Sequence, residues 1–416
     1  MSNLSTSPQP AISGSQKLKF VLILGSLSAF GPLSIDMYLP ALPRLAENLG
    51  TTQSLAQLSL TACLLGLALG QLIAGPLSDI RGRRIPLIAA LVLYMLASLA
   101  CVFAPSIWML IALRLVQGAA GAAGIVISRA VVRDLYSGTE LTKFFTLLML
   151  VNGLAPILAP ILGGVILNYV SWRGVFAVLS VIGTLMLIAV MLGLPETLAR
   201  ERRSSGGLGE TVSTFGRLIR DRSFLGYAFS QAFVTAGMFA YISGSPFVIQ
   251  DIFGVSPQGY SLFFAVNGLG IVLFSQITGR LVHRAGETKL LVAGLLIAFC
   301  AGAGLAAVTW LGGGLGAIAP LLFLIVASVG MVASTTTSLA MQSQEPRTAG
   351  SASALIGLMP LLFGAAASPL VGLGSGETAA PMGTVIGIAE LLALTSYMLL
   401  VLPGRRKGNK EPLNKA

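Results

Sequence analysis

The chain has 416 residues, of which 55% are hydrophobic and only 10% charged. A soluble domain carries about 25% charged residues, and a soluble fold of this length could not hide so much apolar surface, so lipid is the expected solvent. The formal net charge of +11, one histidine (His283) and three cysteines (Cys63, Cys101 and Cys300) inside apolar stretches point to a basic membrane face, not to a nucleic-acid partner, and suggest no disulfide framework, metal site or cofactor.

The polar stretch Met1–Gln16 opens a tail over 1–19. The apolar run after Lys19 is longer than a signal-peptide core and has no Ala-x-Ala cleavage pattern, so it reads as a retained first span over 20–39. Near its end stand Gly31, Pro32, Asp36, Tyr38, Pro40 and Pro43. Asp36 is the one acid among these apolar residues. It either takes up and releases a proton as its surroundings change from dry to wet, or caps the outer helix end and faces water. The second and third spans are expected over 56–77 and 85–103, joined by Gly75-Pro-Leu-Ser-Asp79-Ile-Arg-Gly82-Arg83-Arg84. Gly75 would allow close helix approach, Gly82 a tight turn, and the arginines an anchor on the membrane face.

The fourth span, 106–128, carries Arg114 ahead of Gln117 and Gly118, with Asp134 beyond its end. A charge inside a span costs several kcal/mol unless paired or wet, so Arg114 is either functional or a tie between helices through backbone carbonyls. The fifth span, 144–167, contains Asn152, Gly153, Pro156, Pro160, Gly163 and Gly164, a set suited to bending and tight packing. A sixth span covers 174–194, flanked by Trp172-Arg173-Gly174 and Pro195-Glu196-Thr197.

A polar, arginine-rich linker then runs over 195–222. Six more spans follow over 224–248, 259–281, 290–310, 316–340, 350–372 and 381–402. The organisation is therefore a helical bundle over 20–194, the linker, a second bundle over 223–403 and a tail over 404–416. Lys and Arg crowd the loops on one side, with only Arg44 and Arg173 on the other, so both termini are expected in the cytoplasm. An internal repeat fits this split: Gly75, Leu77 and Gly82 align with Gly279, Leu281 and Gly286. Glu390 interrupts the last apolar run and needs a partner or a cavity. Phe30, Tyr38, Asn152, Tyr241, Phe247 and Asn267 are candidates for contact with a transported molecule, although most such residues serve helix packing.

The loop after the second span resembles the G-x-L-a-D-r-x-G-r-k-x signature of the major facilitator superfamily. Arg114-Leu-Val-Gln117-Gly118 resembles the family's R-x-x-q-G motif, associated with proton coupling, and Asn152–Gly164 resembles its g-x-x-x-G-P-x-x-G-G exporter motif, with Ala159 in place of a glycine. The strings around Asp36, Trp172 and Pro195 look like the bicyclomycin and chloramphenicol resistance (Bcr/CflA) group of drug exporters; the resemblance covers most of residues 18 to 200. It implies an all-α membrane protein with twelve transmembrane helices in two pseudo-symmetric six-helix halves. The implied activity is proton-coupled export of small, partly apolar drugs, with an importer of a small metabolite as the other reading on the same fold. Asp36 would carry the proton, Arg114 would tune it, and Glu390 is a further proton candidate. Asp79, Arg83 and Asp134 would form a charged cytoplasmic latch. No nucleotide-binding motif, nucleophile–base pair or metal cluster suggests an enzyme. A monomer in a bacterial inner membrane is expected.

Overall fold

A bilayer core about 30 Å thick demands about twenty residues of helix, and lipid offers backbone amides no other partner. The structure, a computed structural model, describes residues 14–136, 138–203, 218–342, 344, 349–373 and 378–403. Residues 1–13, Arg217 with the rest of 204–217, Arg347 and the tail 404–416 lie outside the described residues. Among the described residues, twelve helices are long and apolar enough to span a membrane. We label them α1 (Leu18–Asn48), α2 (Gln53–Arg81), α3 (Arg84–Val102), α4 (Ile107–Leu135), α5 (Lys143–Ile166) and α6 (Arg173–Gly193). The second half holds α7 (Arg222–Ile252), α8 (Pro257–Ala285), α9 (Glu287–Trp310), α10 (Leu315–Gln342), α11 (Ala352–Gly372) and α12 (Ala380–Val401). No strand occurs among the described residues.

The first span runs on to Asn48, well past the expected end at residue 39. It is built from pieces: helices Gly14–Ser28 and Phe30–Asp36, a tight turn Leu39–Ala41, and a helix Leu42–Asn48. Pro40 and Pro43 look like terminators in the sequence, but each occupies the first turn of a new short segment. A missing N–H costs nothing there. Asp36 consequently lies mid-span at the broken point of α1, not at an outer helix end, and is only 5% exposed.

The internal repeat is visible in the backbone. α2 and α8 each end on a glycine with positive φ, Gly82 at 91° and Gly286 at 80°. Close helix contacts recur in the same places. A side chain on Gly66, Gly70 or Gly118 would run into the backbone of the facing helix in the α2–α4 pair, and one on Gly330 of α10 would meet the Ile271 carbonyl of α8. Small residues let helices approach where lipid provides no hydrophobic drive to associate.

The two halves meet at the end opposite Gly82. There Thr61 Oγ1 donates to the Ala365 carbonyl at 3.1 Å, Gln57 Nε2 to the Ser243 carbonyl at 3.1 Å, and Ser261 Oγ to the Pro160 carbonyl at 2.8 Å. At the basic end a cleft of about 420 Å³ separates Gly75, Asp79, Arg129 and Arg133 from Ser353 and Gly357 of α11. Among the described residues no hydrogen bond crosses between the halves at that end. Among the described residues, hydrogen bonds thus tie the halves at one end and a cleft parts them at the other.

Candidate functional site

Between the halves, partway along the spans, lies a cavity of about 260 Å³. The break in α1 supplies Gly31, Pro32, Ile35 and Asp36, and Leu67, Gln71, Ile125 and Pro156 complete the first-half wall. The second half contributes Met238, Phe239 and Tyr241 of α7, Phe264 of α8, and residues of α10 and α11. Asp36 is the only ionisable carboxylate or base in this lining, and among the described residues its carboxylate accepts no hydrogen bond. Proline and glycine beside it free the local backbone, which is tolerated in a span only where it faces protein or a cavity. Tyr241 is held in place across the cavity. Its hydroxyl accepts from Asn267 Nδ2 at 2.9 Å and its ring stacks on Phe264 with centroids 5.6 Å apart.

Arg114 of α4 is fully buried and pairs with no carboxylate among the described residues. Its guanidinium donates to the Ser34 carbonyl at 2.7 Å and to Gln117 Oε1 at 2.5 Å, and lies 4.4 Å from the centre of the Tyr38 ring. Gln117 Nε2 in turn donates to Ser98 Oγ at 2.7 Å, and the hydroxyls of Ser34 and Tyr94 share a bond of 2.7 Å. The contact that matters for Asp36 is with the backbone two residues earlier. Arg114 holds the Ser34 carbonyl beside the break in α1. The helix tie through a backbone carbonyl is the geometry present.

Asp36, Pro156 and Tyr241 are the sequence candidates that reach the cavity wall, with Asn267 behind Tyr241. Phe30 instead packs edge-on against Tyr94 at 4.5 Å, Tyr38 bonds Ser59 beneath Arg114, and Phe247 is in the core. Asn152 Nδ2 donates to the Leu148 carbonyl of its own helix at 3.0 Å. Gln71, Met238 and Phe239 reach the cavity without having been singled out. Gln71 carried a signal, a polar side chain inside an apolar run, while the apolar wall residues carried none. Glu390 lies apart from the cavity, buried in α12.

At the basic end, Arg83 bonds Asp79 and Asp134, the latter at 2.9 Å, and Ser78 Oγ at 2.8 Å. Burial alone would lower the Arg83 pKa, but these bonds to the two carboxylates outweigh it and raise it. Thr197 Oγ1 also donates to Asp134, at 3.1 Å. Glu196 caps α3, accepting from the backbone N–H of Arg83 at 2.8 Å and of Arg84 at 3.1 Å. Burial pushes its carboxyl pKa up, but these bonds, that from Leu198 N–H and the nearby Arg203 charge bring it below the ordinary value. Arg84 donates to the Met191 carbonyl at 2.7 Å. The whole cluster belongs to the first half. Gly75 does not mark a close helix approach here: a methyl on it would meet only Val126, at an ordinary 3.7 Å, and it lines the open cleft.

The exporter-like segment of α5 lies in the closed seam. A side chain on Gly163 would collide with the Met37 carbonyl of α1, and one on Gly164 would sit 2.5 Å from Ser261 Oγ of the other half. Gln258 Nε2 donates to the Gly164 carbonyl at 3.0 Å. Pro160 supplies the carbonyl that Ser261 bonds, Pro156 reaches the cavity, and Gly153 has open space beside it.

The family model described as Major Facilitator Superfamily matches residues 24–369. The chain is 46% identical to the "Uncharacterized MFS-type transporter YdgK" of Bacillus subtilis, over 92% of this chain and 96% of that one. It is 32% identical to the "Bicyclomycin resistance protein homolog" of Haemophilus influenzae over 92% and 96% of the two chains. A "Chloramphenicol resistance protein" of Pseudomonas aeruginosa is 33% identical over 72% of this chain and 71% of its own. In shape, the chain is similar to the solved structure of a bacterial homologue of the human lysosomal transporter Spinster in its inward-facing, unoccupied conformation, with a TM-score of 0.74, 15% identity, and 96% and 98% of the two chains covered.

Proposed function

Because the chain belongs to the Major Facilitator Superfamily, and is a multi-pass membrane transporter, not an enzyme, we propose that it exports small, partly apolar, drug-like compounds in exchange for protons. The observation that carries this reading is Asp36, a carboxylate that accepts no hydrogen bond among the described residues, in a mostly apolar cavity between the halves. An ionised acid there is costly to enclose. Either a proton or a hydrogen-bond donor on the substrate must satisfy it before the cavity closes. Two ligands competing for one side chain, in a molecule that opens at one end at a time, is what exchange requires.

The cavity volume of about 260 Å³ lies just below the range of about 300–1,000 Å³ usual for drug-sized ligands, which favours a small substrate. The names of the relatives from Haemophilus and Pseudomonas support an antibiotic such as bicyclomycin or chloramphenicol. The basic end, with both termini, is the cytoplasmic side of a bacterial inner membrane on this reading, because Lys and Arg concentrate there. The chain works as a monomer, with tail 1–19, linker 195–222 and tail 404–416 on that side. The test is chloramphenicol efflux driven by a pH gradient in proteoliposomes. Asp36→Asn should abolish gradient-driven efflux while still binding chloramphenicol in detergent. A variant that pumps like the parent would remove Asp36 from the mechanism.

A further inference from the structure

Glu390 is fully buried in the middle of α12, and neither carboxyl oxygen has a hydrogen-bond partner. Its surroundings are closed in by glycine. A methyl on Gly237 of α7 would come 2.5 Å from Oε1, and one on Gly302 of α9 would come 3.0 Å from Cγ. Gly387, one turn earlier on α12, lies against the Gly302 carbonyl. α7 and α9 each approach α12 closely because these positions lack side chains, and the carboxyl lies between Gly237 and Gly302.

Among the described residues no ion pair involves Glu390. α7 carries Arg222, Tyr227, Tyr241 and Asp251, α9 carries Glu287, Lys289 and Cys300, α12 carries Tyr397, and the end of α11 adds no titratable group; none of these bonds the Glu390 carboxyl. A side chain on Gly237 would displace the carboxyl, since its Cβ would come 2.5 Å from Oε1. A bare negative charge without donors would be prohibitively desolvated. A proton bound to the carboxyl removes that charge without needing a donor from the protein.

α7 joins this acid to the transport cavity: Met238, Phe239, Tyr241 and Ile242 line the cavity, and Gly237 beside them presses on Glu390. We propose that Glu390 is a second proton-binding site, occupied while α7 packs against α12 and emptied to water when α7 moves away. The proton then passes from the carboxyl to an entering water molecule, leaving a hydrated carboxylate. This deepens the exchange reading and rests on it, because α7 forms part of the wall that substrate and Asp36 share.

The experiment is pH-difference infrared spectroscopy of the reconstituted parent and of Glu390→Gln, with chloramphenicol efflux measured on both. Subtracting the two isolates Glu390 from Asp36. A protonated-carboxyl band should be present in the parent at low pH, absent in Glu390→Gln, and lost as pH rises. Melting in detergent gives a second readout. Since the enclosed site favours the protonated form over the unfolded chain, its stabilisation is present at low pH and lost as pH rises, so the parent should fall below Glu390→Gln in alkali. Gradient-driven efflux by Glu390→Gln should drop at least tenfold. A band that never changes with pH marks a permanently neutral acid and overturns the proposal, as does the absence of any band. If the band titrates but Asp36→Asn still pumps, the reading of Asp36 fails while the Glu390 site stands.

Discussion

Single residues at the basic end show how a charged cluster can hold a fold together without bridging its halves. Glu196 sits just beyond α6 and accepts the first backbone N–H groups of α3, which have no partner within their own helix. A carboxylate at a helix N-terminus also faces the positive end of the helix dipole. Removing such a cap costs about 1–2 kcal/mol. Glu196→Ala is therefore expected to melt several degrees below the parent in detergent near neutral pH. Its carboxyl pKa is below the ordinary value in the fold, so the stabilisation is complete above the unfolded-state value, about 4.3. It fades as pH falls through the folded-state value. The gap between parent and variant should narrow in acid. A gap that persists there would mean that the side chain's packing, and not its charge, is what counts. The sequence marks Glu196 as part of a familiar string, but the helix it caps begins 112 residues earlier, and no local pattern shows that pairing.

At the level of elements, the legible features were those that depend on spacing along one helix. Twelve apolar runs and the glycine at the end of α2, matched by the one at the end of α8, follow from the needs of a helix in lipid. The extent of α1 did not follow, because Pro40 and Pro43 stop a continuing helix but are well suited to starting a new one. Arg114 was legible as an anomaly, whereas its partner, the Ser34 carbonyl 80 residues away, belongs to tertiary structure. The cavity wall was illegible for a similar reason: Met238 and Phe239 differ in nothing local from residues that face lipid. The α2–α4 pair gives this level its test. Gly118 is followed through α4 by no space at all, since a side chain there would strike the Cys63 carbonyl. Overpacking of this kind costs about 1–3 kcal/mol, and more where backbone must move. Gly118→Leu should lower the melting temperature markedly and displace Arg114, one turn away. Gly316→Ala, at a position with nothing within 4 Å, should match or exceed the parent. Equal melting for both variants would show that the α2–α4 contact is loose.

For the whole molecule, the decisive feature is the asymmetry between its two ends. Thr61, Gln57 and Ser261 bond across the halves at one end, while a cleft of about 420 Å³ separates them at the other. Hydrogen bonds to backbone carbonyls are suited to a seam that must open, because each contributes only about 0.5–1.5 kcal/mol net and water can replace each of them. The glycines of α5 bring the two backbones close enough for such bonds to form. A Cβ on Gly164 would stand 3.3 Å from the Cβ of Ser261, near the separation of about 3.5–4.5 Å that a disulfide spans. The pair Gly164→Cys and Ser261→Cys, in a background with Cys63, Cys101 and Cys300 replaced by serine, should therefore cross-link within one chain under mild oxidation. If transport requires this seam to part, the cross-linked protein should bind chloramphenicol from the open end yet lose gradient-driven efflux. Reduction should restore efflux to the level of the uncross-linked protein. Efflux that continues through the cross-link would mean that the seam never opens, and a rocking exchange of access between the two ends would be ruled out. Failure to cross-link in the resting protein would mean that the end opposite Gly82 is not closed.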